Sequence, residues 1–314
     1  MHRISINNSR TVFFLKEYTH LTPLFYSYPF GELRNRLYIH ISKNMEEFPI
    51  QSVEFANVQL NEKISNKCLY SVRSSIIHKL STSDYKGCSG KICIIGGSNV
   101  YCGAPFFASM SALKLGVDLC FVLTTKECSV PLKCYSPDLI IYPYLYTDNF
   151  NIDNVNSSDL GKCVDYLSKK IDCCVIGPGL GVVNTITQTC LTYIIKKFIQ
   201  HNIFLIFDAD IIQFIITNKN LLNIVKVYEN CIFTPNINEF KISISILLNE
   251  ENITFDKLKI NNIIIYAHKL MQQFNGPKFL IKGFYDVYIS KHYYFLSFIN
   301  NQSLKRVGGI GDIL

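Results

Sequence analysis

The sequence predicts an α/β fold with a mostly parallel sheet and helices on both of its faces. Six short runs rich in Ile, Val and Phe are each separated by a helix-length segment: "KICIIGG", "DLCFVLTT", "DCCVIGPG", "IFLIFDAD", "CIFTPN" and "KFLIKG". These runs are apolar on both faces, which is typical of strands buried in a parallel sheet. Gly, Asp or Asn follows most of them, and such sheets bind ligands beyond the carboxyl ends of their strands.

The first strand–helix unit and the last strands can be predicted from their residues. "KICIIGG" predicts a buried strand that turns at Gly96 and Gly97. "GAPFFASMSALKLG" predicts a helix with Pro105 near its first position and Gly116 as its stop. Near the end of the chain, "DVYISKHYYFLSF" alternates more strongly and predicts an antiparallel hairpin.

Composition and charge narrow the class of protein. The 314 residues are 48% hydrophobic and 18% charged, which indicates a large buried core rather than a disordered chain. The net charge of +7 suits anionic partners such as nucleotides, but the basic residues are scattered, which argues against a nucleic-acid partner. No apolar stretch reaches the roughly 18–20 residues of a membrane span, so we expect no membrane partner.

The twelve cysteines are predicted to be reduced and structural. They form no CxxC pair, and the histidines form no HxH or HExxH set, so no metal site is predicted. Five of them fall within or beside apolar runs, where a thiol behaves as a small hydrophobe. These are Cys93, Cys120, Cys173, Cys174 and Cys231.

The chain divides into two parts at about residue 66. Residues 1–65 show no apolar period and no motif, and are predicted to be an N-terminal extension. Residues 66–314 are predicted to form one α/β domain. No secretory signal is evident, which favours the cytoplasm, whereas the first residues, "MHRISINNSRTVFFLK", weakly resemble a transit peptide and make the mitochondrion the alternative.

The C-terminal "GGIGDIL" carries the clearest chemistry. Glycines before a helix expose backbone N–H groups that bind phosphate or a developing anion. Asp312 could accept the proton of a substrate hydroxyl that is aligned for phosphoryl transfer. The alternative is an ordinary Gly-Gly turn in which Asp312 is the helix N-cap.

Two motifs follow strands in the middle of the chain. "VIGPGLG" allows close approach of its backbone to a ligand, or is only a tight turn. In "FDAD", Asp208 and Asp210 alternate, so one of them is expected to face the cleft. Either could orient the water shell of Mg²⁺ or a ligand hydroxyl, or could cap the helix that follows.

Two further motifs offer single polar side chains. In "TPNINEF", Asn236 could bond a carboxamide or ribose, and with Glu239 it also forms the pattern of a capping box, so that both roles are compatible. In "IKGFYD", Lys282 beside Gly283 suits a phosphate contact, although an exposed lysine at a strand end is commoner.

The order of these motifs resembles the ATP- or ADP-dependent NAD(P)H-hydrate dehydratases from about residue 66 to the last residue. The "GGSNVYCGAP" and "YSPDLI" blocks separate that family from other ribokinase-like proteins. The resemblance implies a ribokinase-like three-layer α/β/α sandwich that uses MgATP. It implies repair of the S-epimer of hydrated NADH or NADPH, by phosphorylation of the ring hydroxyl and elimination of phosphate. Asn236, where bacterial members tend to carry His, indicates the eukaryotic, ATP-using branch.

The resemblance also implies roles for individual residues. Asp312 is implied to be the base, and the glycines of the terminal turn are implied to form the anion hole. The implied contacts to the hydrated dinucleotide are Ala104, Gly179, Asn236, Ile237, Asn238, Glu239, Phe240, Lys241, Ile242 and Asp312. The implied nucleotide contacts are Lys282, Gly283, Phe284, Tyr285, Asp286, Gly308, Gly309 and Gly311.

The end of the chain departs from the family pattern. Family members continue beyond GGxGD with a long helix and further helices, whereas only Ile313 and Leu314 follow Asp312 here. So short a helix has little macrodipole, and we expect a weaker anion hole and a fold without its final helices. Either the sequence is a truncated form of an active enzyme, which the intact motifs favour, or the chain is a degenerate relative that binds nucleotide.

Two other functions stay open at this point. A small-molecule kinase of the same fold would phosphorylate a vitamin alcohol, although "GGSNVYCGAP" argues against it. A catalytically impaired nucleotide-binding or interaction protein is the other. The partners predicted are hydrated NADH or NADPH and ATP. Family members are often oligomeric, so the resemblance leaves a homo-oligomer open, but nothing in the sequence indicates an interface.

Overall fold

The computed structural model of the chain describes residues 80–148, 151–250, 260–291, 294–297 and 308–314. The predicted N-terminal extension, residues 1–65, and the predicted domain start at residue 66 lie outside the described residues.

Nine strands of the described residues form one sheet in the order β3-β2-β1-β4-β5-β6-β7-β8-β9. Pairing is parallel from β3 through β7 and antiparallel between β7, β8 and β9. The strands are β1 (Lys91–Ile95), β2 (Leu119–Leu123), β3 (Leu139–Tyr142), β4 (Cys173–Ile176), β5 (Phe204–Phe207), β6 (Cys231–Phe233), β7 (Lys278–Ile281), β8 (Asp286–Ile289) and β9 (Tyr294–Ser297). The predicted fold class and the predicted C-terminal hairpin are confirmed.

The helices connect these strands in chain order. They are α1 (Gly103–Leu115), α2 (Lys126–Tyr135), α3 (Asp159–Ser168), α4 (Thr185–Gln200), α5 (Asp210–Thr217), α6 (Lys219–Val225), α7 (Ile237–Leu248), α8 (Ile260–Met271) and α9 (Ile310–Ile313), with a 3-10 helix at Ile152–Ser157. Gly116 ends α1 as predicted, with φ of 122° and its N–H bonded to the carbonyls of Ala112 and Leu113. None of the helices in the described part of the chain combines the length and the apolar character needed to cross a membrane.

The core lies on both faces of the sheet. Along β1, Cys93 and Ile95 join the larger cluster of buried residues, and Ile94 between them joins a smaller cluster beneath α1 and α2. Because successive side chains of a strand point to opposite faces, both faces are covered and the fold has three layers. In the larger cluster the ring of Phe233 stacks on that of Phe279, with centroids 4.9 Å apart.

The thiols within the strands are part of this core. Cys93, Cys120, Cys174 and Cys231 are buried and free, whereas Cys173 is partly exposed. Burial raises the pKa of Cys120 and of Cys231 to about 12, so these thiols stay neutral. Among the described residues, no three His, Cys, Asp or Glu side chains are arranged to hold a metal ion.

The strand order reverses between β1 and β4. From β1 the chain first adds β2 and β3 on one side, and then returns to add β4 on the other. A crevice forms at such a switch point, beyond the carboxyl ends of the two strands. The fold therefore places the ligand site beyond Ile95 and Ile176.

Candidate active site

Two glycines let the carboxyl ends of β1, β4 and β5 approach one another. A Cβ at Gly96 would lie 2.0 Å from the carbonyl oxygen of Pro178, and one at Gly177 would lie 1.6 Å from that of Asp208. Gly177 also has φ of 134°, which side chains disfavour. At Gly177 the close approach is therefore to neighbouring backbone, and it joins the "GPGLG" loop to the "DAD" loop; the approach of this loop to a ligand stays a prediction.

Gly179 lies against the start of α1. Its φ is 68°, and a Cβ there would lie 3.1 Å from the Cβ of Tyr101 and 3.2 Å from the Cδ of Pro105. Ala104 occupies the first turn of that helix. Two positions implied to contact the dinucleotide, Gly179 and Ala104, are therefore neighbours in the structure.

A cavity of about 660 Å³ opens beside Gly179. It is lined by Tyr101, Gly179, Gly181, Val182, Val183, Gln188, Asp210, Gln213, Phe214 and Thr217. This volume and this mixture of apolar and polar side chains suit a small-molecule ligand.

The two aspartates of "FDAD" face different neighbours, and neither caps α5. The N-cap of α5 is Ala209, with φ of 58° and no side-chain cap bond. The carboxylate of Asp210 faces the cavity and accepts the N–H of Gly181 at 3.0 Å. Burial raises the pKa of Asp210, and the negative charge of Asp208 raises it further. The capping alternative for these aspartates is wrong because both carboxylates have other partners.

A buried ion pair joins the ends of β5 and β7. The Nζ of Lys282 donates to Oδ1 of Asp208 at 2.6 Å, and the Oγ1 of Thr234 donates to the same oxygen at 2.8 Å. The two charged side chains are only 17% and 10% exposed. The alternative that Lys282 is an exposed lysine at a strand end is therefore wrong.

The C-terminal glycine turn lies between α1 and the end of β7. Gly309, with φ of 85°, is the N-cap of α9. A Cβ at Gly309 would lie 2.8 Å from the ring of Phe107, and one at Gly311 would lie 3.6 Å from the Nζ of Lys282. The fold therefore brings the glycine turn, which is predicted to bind phosphate, next to Lys282.

Asp312 sits within α9 and does not cap it. No side chain of the described residues caps α9, and the N–H of Asp312 itself donates to the carbonyl of Gly309 at 3.2 Å. Burial raises the pKa of Asp312, the charge of Asp208 raises it further, and Lys282 opposes the increase. The N-cap alternative is therefore wrong, and the carboxylate of Asp312 can serve as a proton acceptor.

Asn236 forms the predicted capping box at the start of α7. Its Oδ1 accepts the N–H groups of Asn238 and Glu239 at 2.9 and 3.0 Å. Glu239 returns the contact, with Oε2 accepting the N–H of Asn236 at 3.0 Å and Oε1 accepting its Nδ2 at 2.6 Å. An amide nitrogen has two donor hydrogens, so one remains for a ligand and the implied substrate contact is compatible with the cap.

The remaining implied dinucleotide contacts in α7 point in different directions. A helix has 3.6 residues per turn, so consecutive residues cannot all face one ligand. Phe240 is 0% exposed and its side chain belongs to the core, while Ile242 is 41% exposed. The N–H of Phe240 donates to the carbonyl of Asn236 at 2.8 Å, so the contact implied for Phe240 finds no exposed group of that residue. The ligand contacts implied for Asn238, Lys241 and Ile242 stay predictions.

The loop after β7 is braced by its own residues. Oδ1 of Asp286 accepts the N–H of Gly283 at 3.0 Å. The ring of Phe284, 45% exposed, meets the ring of Tyr285 edge-on at 5.0 Å. The loop thus offers an exposed aromatic side chain next to Lys282, and the nucleotide contacts implied for it stay predictions.

Two residues of the site were not singled out from the sequence. Phe107 supports the glycine turn at Gly309, and Thr234 shares the carboxylate of Asp208 with Lys282. Phe107 gave no separate signal in the sequence, because it is one of several apolar residues of α1; the structure distinguishes it by leaving it 41% exposed. Thr234 gave only the weak signal of a hydroxyl directly after a strand.

The described residues have the α/β fold seen in ribokinase-like structures. The structure resembles a ribokinase-like superfamily protein of Enterococcus faecalis, with a TM-score of 0.54, 20% sequence identity, and coverage of 76% of this chain and 72% of that one. A hypothetical protein of Streptococcus mutans gives a TM-score of 0.55 at 18% identity, with 77% of both chains covered. At such identities these likenesses establish the fold.

The chain belongs to the NAD(P)H-hydrate dehydratase family, which it matches over residues 92–314. It is 34% identical over 254 residues to the ATP-dependent (S)-NAD(P)H-hydrate dehydratase of Arabidopsis thaliana, covering 78% of this chain and 66% of that protein. It is 32% identical over 240 residues to the enzyme of the same name from Entamoeba histolytica, covering 76% and 71%. The match thus spans just under two thirds of the Arabidopsis protein, and the family predicted from the motifs is confirmed.

Proposed function

We propose that the protein is an ATP-dependent (S)-NAD(P)H-hydrate dehydratase that returns hydrated NADH or NADPH to the intact dinucleotide. One observation carries this proposal. The carboxylate of Asp312, the glycine turn at Gly309 and Gly311, and the ammonium of Lys282 lie close together beyond the carboxyl ends of β5 and β7. A base, N–H donors and a cation together are what phosphoryl transfer to a hydroxyl needs.

The chemistry explains why these groups are needed. Hydroxide is a poor leaving group and phosphate is a good one. As the ring hydroxyl oxygen attacks the γ-phosphorus and the bond to ADP breaks, the carboxylate of Asp312 accepts the hydroxyl proton. The C–O bond then breaks with loss of phosphate and of a proton from the adjacent carbon, which restores the double bond. The raised pKa of Asp312 makes its carboxylate a stronger base.

The described residues fit a magnesium nucleotide. The glycine turn has no Cβ to block its N–H groups, and Lys282 lies beside it. MgATP would supply the phosphoryl group that makes the hydroxyl a leaving group. Asp210 and Glu239 offer carboxylate oxygens near the same place, and such oxygens hold Mg²⁺ or its water shell.

A repair assay tests the proposed function. Purified protein, MgATP and chemically prepared (S)-NADPH hydrate are mixed, and the return of reduced-nicotinamide absorbance is followed together with ADP and phosphate. The proposal expects one ADP and one phosphate for each dinucleotide restored. Accumulation of a stable phosphorylated hydrate would instead favour a kinase, and ATP binding without any turnover would favour an impaired relative.

Replacing Asn236 separates its capping role from its proposed role in substrate binding. Asn236→Ala is expected to cost about 1 kcal/mol of unfolding free energy through the lost cap, and to weaken binding of the hydrated dinucleotide by about tenfold. Asn218→Ala is the matched control, because Asn218 caps α6 with a bond to the N–H of Leu221 at 3.1 Å. Urea denaturation and titration calorimetry measure the two effects. Equal ligand affinity in both variants would remove Asn236 from the substrate site.

A further inference from the structure

We propose that Asp208 is a positioning residue, which holds the ammonium of Lys282 against the glycine turn and sets the charge that surrounds Asp312. The proposal rests on the proposed function, in which Lys282 and Asp312 act. It assigns Asp208 no contact with substrate or nucleotide, because the carboxylate acts through the lysine.

Asp208 is itself fixed from several sides. Its N–H donates to the carbonyl of Ile176 at 3.0 Å, and its own carbonyl packs against Gly177. The residue is 7% exposed, and Oδ1 accepts from Thr234 as well as from Lys282. The carboxylate therefore cannot follow a moving lysine, so the lysine is held where the carboxylate is.

Lys282 is held at both ends. Its N–H donates to the carbonyl of Pro235 at 2.8 Å, which forms an isolated parallel bridge between Asn236 and Lys282 beyond the paired residues of β6 and β7. At the other end Asp208 takes one of the three hydrogens of the ammonium, and the remaining two are left for other acceptors. Because Nζ lies 3.6 Å from where a Cβ of Gly311 would be, those hydrogens are next to the turn that is proposed to cradle phosphate.

Fixing the lysine before the nucleotide binds lowers the entropy cost of binding and of phosphoryl transfer. A free lysine side chain has four rotatable bonds, and ordering it on binding costs conformational entropy. When Asp208 has already ordered it, binding and phosphoryl transfer avoid that cost, which is the general advantage of preorganised charges.

The charges around Asp312 give the proposal its second consequence. Asp208 follows β5, Lys282 follows β7 and Glu239 lies on α7. The ammonium of Lys282 bonds Asp208 and acts on the carboxylates of Glu239 and Asp312, whereas Asp210, which begins α5, acts on Glu239 and not on Asp312. The charge of Asp208 raises the pKa of Asp312 and that of Lys282 lowers it. Without Asp208, the lysine would act on Asp312 uncompensated and make it a weaker base.

The alternative role for Asp208 is a structural brace between β5 and β7. A buried ion pair can stabilise a fold, or merely break even against its desolvation. A brace changes stability when it is removed, but it leaves the protonation of Asp312 unchanged. The pH dependence of the reaction therefore distinguishes the two roles.

The test compares Asp208→Asn with Thr234→Val in the full chain. Asn keeps the shape and the acceptor oxygen but removes the charge, whereas Val removes a hydrogen bond to that same oxygen and leaves the charge. For Asp208→Asn we expect kcat to fall about 10- to 100-fold, KM for ATP to rise about tenfold, and the acid limb of the kcat profile to move down by about 0.5–1 pH unit. For Thr234→Val we expect the midpoint of the acid limb to stay in place.

Lys282→Gln tests the same pair from its other side and does not depend on Asp208→Asn folding. It leaves the charge of Asp208 uncompensated beside Asp312, so the acid limb is expected to move to higher pH. Opposite shifts in the two variants support the proposal. An Asp208→Asn variant with a lower melting temperature but an unchanged midpoint and an unchanged KM for ATP would reduce Asp208 to a brace and overturn it.

A binding measurement keeps this proposal distinguishable from the proposed function. ATP affinity is measured by calorimetry in the presence of Mg²⁺, with no hydrated dinucleotide present. If the wild-type chain restores no dinucleotide, the proposed function fails. A roughly tenfold loss of ATP affinity in Asp208→Asn, absent from Thr234→Val, still supports the positioning of Lys282, and equal affinity in both variants overturns it.

Discussion

Asp312→Asn is expected to lower kcat for repair of hydrated NADPH by about 10²–10⁴-fold, the range that a positioned general base contributes. Asn is nearly isosteric with Asp but cannot accept the hydroxyl proton. ATP affinity is expected to be unchanged or tighter, because the substitution removes a negative charge beside the phosphates. The loss should therefore appear in kcat, with KM for ATP at or below its wild-type value, in steady-state assays that follow reduced-nicotinamide absorbance.

The matched control is Asp165→Asn. Asp165 pairs with Lys197 at 3.3 Å on the surface, and both side chains are partly exposed, so the substitution should change stability by less than about 1 kcal/mol. Its kcat should equal that of the wild-type chain. If Asp312→Asn retained more than about a tenth of wild-type kcat, another group would have to be the base.

The wild-type pH profile offers a second measurement on the same carboxylate. Burial and the charge of Asp208 raise the pKa of Asp312, and only the deprotonated carboxylate accepts a proton. Activity should therefore fall as the pH decreases through this raised pKa, so that the acid limb lies above the range of an ordinary aspartate.

Gly177→Ala is expected to give the largest loss of stability, about 3–5 kcal/mol of unfolding free energy. The added Cβ would lie 1.6 Å from the carbonyl oxygen of Asp208, and backbone, unlike the end of a flexible side chain, cannot move aside cheaply. The φ of 134° adds a conformational cost. Since the clash also displaces Asp208, the hold on Lys282 should be lost as well.

Gly116→Ala separates the two parts of that cost. Gly116 has a similar φ of 122°, but a Cβ there would have no heavy atom within 4 Å. It should lose only the conformational part, about 1–2 kcal/mol. Urea denaturation of both variants measures the difference, and equal losses would show that the crowding at Gly177 is relieved at little cost.

Local patterns in the sequence were sufficient to predict most elements of the fold. The six apolar runs form β1, β2, β4, β5, β6 and β7, and the alternating segment forms the antiparallel hairpin. The strand β3 lies partly within the "YSPDLI" block and is not predicted as a strand, because four apolar residues between Asp138 and Pro143 give little signal. The capping box of Asn236 and Glu239 was predictable because it depends on a spacing of three residues.

The site could be predicted only in part, because its decisive contacts are not local. Lys282 and Asp208 are separated by 74 residues, and no spacing rule connects them. The capping alternatives for Asp210 and Asp312 are wrong. The carboxylate of Asp210 bonds Gly181 instead, and Gly309 is the N-cap of the helix that contains Asp312. Phe240 lies within an implied contact segment, yet its side chain is required by the core.

The buried thiols have a practical consequence for how this protein can be studied. Cys93 in β1, Cys120 in β2, Cys174 in β4 and Cys231 in β6 place one protected sulfur in each of four strands of the sheet. A thiolate reacts and a buried neutral thiol does not, so labelling requires local or global opening of the fold. Alkylation followed by peptide mass spectrometry would therefore report the opening of each strand separately, with the native sulfur atoms serving as the probes.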